Sequence, residues 1–140
     1  MAISRSLNPA EKTLVESGIA DARRYEGAAD AGPLLARVQQ LYDDLLAMET
    51  PSAPLLETLG YGFGQALAEH GGLVWVMLCD DGFSDEPGLS LPDLELTCAP
   101  LSMMAGRIED GEVADLARLA AETVATLRAH AGNAARRGTT

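Results

Sequence analysis

Apolar positions in this chain recur at helical spacing, then at strand spacing, then at helical spacing again. Leu14, Val15, Ile19 and Ala22 form a stripe behind Asn8-Pro9-Ala10-Glu11. There Asn8 can cap, Pro9 suits the first helical position, and Glu11 stands where a capping box needs an acid. Residues 27–32, rich in Gly and Ala, read as a loop. Pro33 opens a second helix, in which Leu34, Val38, Leu41, Leu45 and Met48 keep one face and Leu35, Tyr42 and Leu46 widen it. A face that wide packs on two neighbours. The run Thr50 to Pro54 breaks the helix. A third helix is expected from about Leu55 to Glu69, with Leu56, Leu59, Phe63 and Leu67 on one face. Gly60, Gly64 and Ala68 make a ridge of small residues beside that face. Each mid-helix glycine costs about 1 kcal/mol relative to alanine, so the ridge predicts close approach by another helix or a sheet. His70-Gly71-Gly72 is a C-cap signature.

The period then falls to two. Leu73 to Cys79 is an apolar run of strand length, with Trp75, Met77 and Cys79 on one side and Val74, Val76 and Leu78 on the other. Apolar residues on both sides predict a strand covered on both faces. A second strand is expected around Leu94 to Cys98 and a short third at Leu89 to Leu91. An acidic loop carrying Asp80, Asp81, Asp85 and Glu86 joins them. Pro100 opens a short helix that ends near Gly111, and Val113, Leu116, Ala117, Ala120, Val124, Leu127 and Ala131 mark a last amphipathic one. The fold class is therefore α+β: three N-terminal helices, a small antiparallel hairpin or sheet, and two C-terminal helices. Residues 1–131 are expected to form one domain and residues 132–140, which lack a pattern, a flexible tail. So small a sheet is marginal alone. Helices must cover it or a second copy must extend it, and a homodimer is the expectation.

Composition narrows the function. At 140 residues, with 47% apolar and 22% charged positions, the chain suits one globular domain with a core of its own. A formal charge of −11 disfavours nucleic acid and anionic membranes, and favours solubility or a basic protein partner. The start, Met1 to Leu7, has no apolar leader core, and the apolar run at Leu73 is too short to span a bilayer. A cytoplasmic location is expected, with Cys79 and Cys98 as reduced core thiols.

No catalytic set, metal site or cofactor site is legible. Gly60, Gly62 and Gly64 lie inside a helix that precedes the strand, the reverse of the order a phosphate cradle needs. In the acidic loop from Asp80, the glycine is third and position twelve is Leu91, so an EF-hand does not fit. His70 and His130 each lie near a helix end without ligand partners at zinc spacing. Ser102 follows a helix start and lies in no nucleophile elbow. The most informative polar group is Arg107 with Glu109 and Asp110. Arg107 suits the dipole at a helix C-terminus and is placed to reach Asp80 or Asp81 if its helix folds back beside the strands.

Three phrases together carry a family resemblance. These are Leu59-Gly60 with Phe63-Gly64 and Leu67, Trp75 with Asp80, and Pro100-Leu-Ser-Met followed by Arg107-Ile-Glu-Asp-Gly-Glu112. Over residues 55 to 115 the chain resembles the bacterial domain-of-unknown-function family numbered 3806. The sequence departs from that pattern at Gly106, where a basic residue is usual, and in a longer, more acidic loop after Asp81. The resemblance implies a bacterial α+β domain and assigns no catalytic residue. Two functions follow as expectations. The first is a non-enzymatic interaction module that masks a basic partner, as immunity proteins and antitoxins do. The second is a small-molecule-binding regulator or small enzyme, with a pocket near Trp75, Asp80, Asp81, Arg107 and Glu109.

Overall fold

The structure, a computed structural model, describes residues 3–25, 33–79, 85–91 and 96–138. Asn8 starts α1 (Pro9–Arg23) as its sequence predicts. The Glu11 amide donates to Asn8 Oδ1 at 2.8 Å, and the Asn8 amide donates back to Glu11 Oε1 at 2.8 Å. The wide apolar face after Pro33 becomes α2 (Leu34–Ala47), with Leu34, Val38, Leu41, Tyr42 and Leu45 all buried. Ser52 caps α3 (Ala53–Gly71), and Gly72, at φ 67°, ends it in the left-handed region. The second phrase of apolar periodicity gives α4 (Pro100–Glu109) and α5 (Leu116–Gly138).

Helix α3 is the hub, and α1, α2, α4 and α5 all pack on it. Its glycines explain how. A Cβ at Gly60 would meet Leu101 Cα of α4 at 2.7 Å. One at Gly62 would meet Ala22 Cβ of α1 at 2.8 Å and Val38 Cγ2 of α2 at 2.7 Å. A Cβ at Gly64 would run into the Trp75 ring and into Pro100. The ridge is thus two-sided. Gly60 and Gly64 admit α4 and the sheet, and Gly62 admits α1 and α2. Gly18 of α1 completes the fit by leaving room for the Tyr61 ring. The core cluster around this hub runs from Val38, Leu41 and Leu45 through Leu59, Phe63 and Leu67 to Met104, Ile108 and Leu116.

The sheet is antiparallel, in the order β1 (Ile3–Arg5), β2 (Val74–Cys79), β3 (Glu86–Ser90), β4 (Thr97–Cys98). Strand β1 was not expected. It pairs Ser4 with Leu78 and Arg5 with Met77, so the start of the chain closes one edge of the hairpin. Strand β3 begins earlier than the expected Leu89, at Glu86, and runs through Pro87 and Gly88. Of the strand expected at Leu94 to Cys98, Leu94 and Glu95 lie outside the described residues and the pairing is confined to Thr97 and Cys98. The register sets Trp75, Leu89 and Cys98 side by side on one face, where Trp75 reaches Gly64 of α3 and Leu89 is fully buried. The opposite face was expected to be covered too. Leu78 is buried there, folding over Gly88, but Val74 is 50% exposed, so the cover does not extend along the whole strand. Helix α5 continues to Gly138, past Ala131 where the apolar stripe stops. Residues 134–137 (Ala-Ala-Arg-Arg) are good helix formers and carry it on.

Candidate functional site

The turn between α4 and α5 is fixed by groups that reach it from α2. Tyr42 is fully buried, and its hydroxyl donates to the Glu112 carbonyl. Burial, with Glu112 nearby, raises the Tyr42 phenol above its ordinary value, against the opposing effect of Arg107. One turn back, Gln39 accepts from the Leu116 amide at 2.7 Å and donates to the Ala114 carbonyl at 2.9 Å. The same amide nitrogen donates to Asp43 Oδ1 at 3.0 Å. Asp115 caps α5 locally, accepting from the Ala117 and Arg118 amides. Gly111, at φ 66°, makes the reversal after α4 possible.

Gln39 links Asp43 of α2 to the stretch that carries Asp115, and Glu109, Asp110 and Glu112 lie along the turn that leads into it. All five are exposed. Arg107, in the last turn of α4, pairs with Glu112 at 2.5 Å and is the cation of this rim. The rim therefore has five carboxylates and one guanidinium on backbone that is tied at both ends. Among the described residues, no group of His, Cys, Asp and Glu is arranged to hold a metal ion.

Trp75 stands elsewhere. Its indole packs on Gly64 and lies 6.0 Å from the Tyr61 ring, and its Nε1 donates to Gln65 Oε1 at 3.0 Å. It lines a groove between α1 and the start of β2, which Arg107 and Glu109 do not line. Asp80 and Asp81, the expected partners of Arg107, lie outside the described residues; the observed partner is Glu112, five residues further along. The structure thus joins Arg107 and Glu109 to the acidic rim and assigns Trp75 to a separate groove. Sequence reading had missed Lys12 and Glu16 of that groove and Asp43 of the rim.

The remaining reactive groups do not assemble. Cys98 sits beside Leu89, whereas Cys79 lies at the far end of β2 beside β1, and both are free thiols. Burial pushes the Cys98 thiol up to about 11. His70 and His130 are exposed on different helices. Ser102 of α4 donates to the Glu86 carboxylate at 2.9 Å, which links α4 to β3.

A helical hub packed on one four-stranded antiparallel sheet, with an acidic rim at the junction of α2 with the α4–α5 turn, defines a small α+β domain. The chain belongs to the family described as a domain of unknown function (DUF3806), whose family model matches residues 35–119. That match spans α2 through the start of α5 and contains the whole rim. No curated protein and no solved structure matches the chain. Among the described residues no helix is long and apolar enough to cross a membrane.

Proposed function

We propose that this domain is a non-enzymatic interaction module that binds a basic protein partner through Asp43, Glu109, Asp110, Glu112 and Asp115. The observation that carries this reading is the junction of α2 with the α4–α5 turn, which holds five carboxylates on tied backbone against one guanidinium. Like charges fixed in place raise the potential outside the rim and speed encounter with an oppositely charged surface. The chain's net charge of −11 adds a long-range field of the same sign. Binding of this kind masks the partner's basic surface, the relation an immunity protein or antitoxin has to its target. The setting this reading implies is the bacterial cytoplasm. The half-exposed Val74 supports self-association as a second contact. Light scattering at tens of micromolar tests that part, and a monomer mass removes it.

The test compares two triple variants of equal charge as baits in a lysate of the native host. Asp43→Asn, Glu109→Gln and Asp110→Asn remove three of the rim's five carboxylates, and Asp21→Asn, Glu49→Gln and Glu57→Gln remove three exposed acids outside the rim. The wild type is expected to retain a stoichiometric basic protein at low salt and release it at high salt. The second triple variant should retain it and the first should not. Equal retention by both would place the contact away from the rim, and no partner at all would end the reading.

A further inference from the structure

Helix α1 presents Lys12 and Glu16, one turn apart, over a groove of about 370 Å³ at the start of β2. Val15 and Ile19 wall the groove, and Trp75, Val74 and Gln65 form its floor. The polar groups of the floor are largely engaged with one another. The indole N–H is taken by Gln65 Oε1 at 3.0 Å, and Gln65 Nε2 donates to Glu69 at 3.3 Å. The charged groups that line the groove are Lys12 and Glu16, beside the second N–H of Gln65 Nε2. Both are exposed, and neither side chain makes a hydrogen bond or ion pair among the described residues. Their order on the helix contributes to this, because lysine four residues before glutamate is the weaker arrangement for an internal pair. Lys12 is also the only lysine in a chain of ten basic residues.

A simple anion entering this groove meets Glu16, and a simple cation meets Lys12. A molecule carrying both charges a few ångströms apart satisfies each. The volume lies in the lower part of the range of small-ligand sites, roughly 300–1,000 Å³. Val74, half exposed, offers apolar surface whose cover is favourable. We propose that this groove binds a small apolar zwitterion, an α-amino acid with a branched or aromatic side chain. Its carboxylate pairs with Lys12, its ammonium with Glu16, and its side chain lies over Val74 and Trp75. The site is separate from the acidic rim and stands without it.

The intact chain supplies its own probe, because Trp75 is the only tryptophan. Titration with L-leucine at low salt is expected to change its emission saturably, with Kd on the order of 1 mM or tighter for a ligand of about nine non-hydrogen atoms. The analogue 4-methylpentanoate lacks the ammonium and 3-methylbutylamine lacks the carboxylate. Each should bind about tenfold more weakly, the loss of one charge-assisted contact. Lys12→Met and Glu16→Gln change exposed positions, and each should weaken leucine by about tenfold. Lys12→Met should leave the amine's affinity unchanged or higher, and Glu16→Gln should do the same for the acid. Three results would each overturn the proposal. They are no saturable change with leucine, isoleucine or phenylalanine up to about 20 mM, single-charge analogues that bind as well as leucine, or full leucine affinity in the double variant.

Discussion

A methyl group at Gly60 tests how α4 seats on the central helix. Its Cβ would stand 2.6 Å from Leu101 Cγ and 2.7 Å from Leu101 Cα. Carbon atoms settle at about 3.5–4.0 Å, so α4 must retreat by roughly 1 Å at that point. The Leu101 side chain can rotate away, but its Cα cannot. Overpacking of this kind costs about 1–3 kcal/mol, whereas alanine recovers about 1 kcal/mol of helix propensity. Gly60→Ala should therefore destabilise by about 1 kcal/mol and by no more than about 2 kcal/mol. Gly106 of α4 is the control, because nothing lies within 4 Å of the Cβ it would gain. Gly106→Ala keeps the propensity gain alone, about 0.5–1 kcal/mol of added stability. Urea unfolding followed by circular dichroism and by Trp75 emission reads both variants. For a domain of this size 1 kcal/mol corresponds to about 3–4 °C in Tm. The two substitutions should move the midpoint in opposite directions. A rise for Gly60→Ala equal to that for Gly106→Ala would refute the close seating of α4.

Gln39→Leu removes both bonds that hold the start of α5 and leaves the part-buried Leu116 amide and Ala114 carbonyl unsatisfied, so it should cost about 1–3 kcal/mol in urea unfolding. Arg5 and the Asn8 amide hold the Glu11 carboxyl at about 2, against an ordinary 4.5. A lowered folded-state value gives stability that is complete above the ordinary value and fades as pH falls toward 2. Hydrogen exchange of β1 should therefore accelerate, relative to the core helices, between pH 4.5 and 2, and Glu11→Gln should abolish that pH dependence. The Cys98 thiol, pushed from 9.0 to about 11 by burial, has about a hundredfold less thiolate at pH 8 than an ordinary thiol, and iodoacetamide should label it correspondingly slowly until urea unfolds the chain. A Cys98 labelling rate in native protein that matches the unfolded rate would remove that reasoning.

The parts of the fold that were legible are those fixed within a few residues. The Asn8–Glu11 box, the Gly72 cap and the apolar stripes of α2 and α3 each depend on neighbours within one or two turns. Strand β1 depends on none. Ile3-Ser4-Arg5 becomes a strand only because β2, some seventy residues later, offers it an edge, and three residues have no period to read. The start of β3 was hidden by Pro87 and Gly88, which ordinarily argue against a strand, so only its end around Leu89 was legible. Among the described residues β4 pairs with Leu89 and Ser90 and stops short of Pro87, so the missing amide breaks no pairing with β4. Gly88 leaves the space that Leu78 fills. The candidate sites divide in the same way. Arg107 was legible as the basic end of α4, but its partner Glu112 was not, because the turn at Gly111 brings it back. Asp43 joins the rim through a tertiary crossing that no spacing encodes. Lys12 and Glu16 did leave a signal, a lone lysine one turn before an acid beside an apolar stripe, which short-range reading treats as solvated surface.

The boundary of the family match separates the two proposed surfaces. Residues 35–119 contain Asp43, Arg107, Glu109, Asp110, Glu112 and Asp115, together with Tyr42 and Gln39, which position them. The rim is thus built wholly from matched sequence, and a chain that keeps α2 and the α4–α5 turn can in principle build it. The groove is not so built. Its floor, Gln65, Val74 and Trp75, lies inside the match, but Lys12, Val15, Glu16 and Ile19 come from α1, outside it. Without α1, Gly62 and Tyr61 would lose the Ala22 and Gly18 surfaces they pack on, and Trp75 would lose one wall. Helix α1 is therefore a structural cover for α3 and the donor of both charges in the groove. Those roles separate experimentally. Substitution at Ala22 or Gly18 should lower stability and ligand affinity together, whereas Lys12→Met should lower affinity alone. If both kinds of variant change stability and affinity in the same proportion, α1 is a cover only, and the zwitterion site loses its basis while the rim keeps its own.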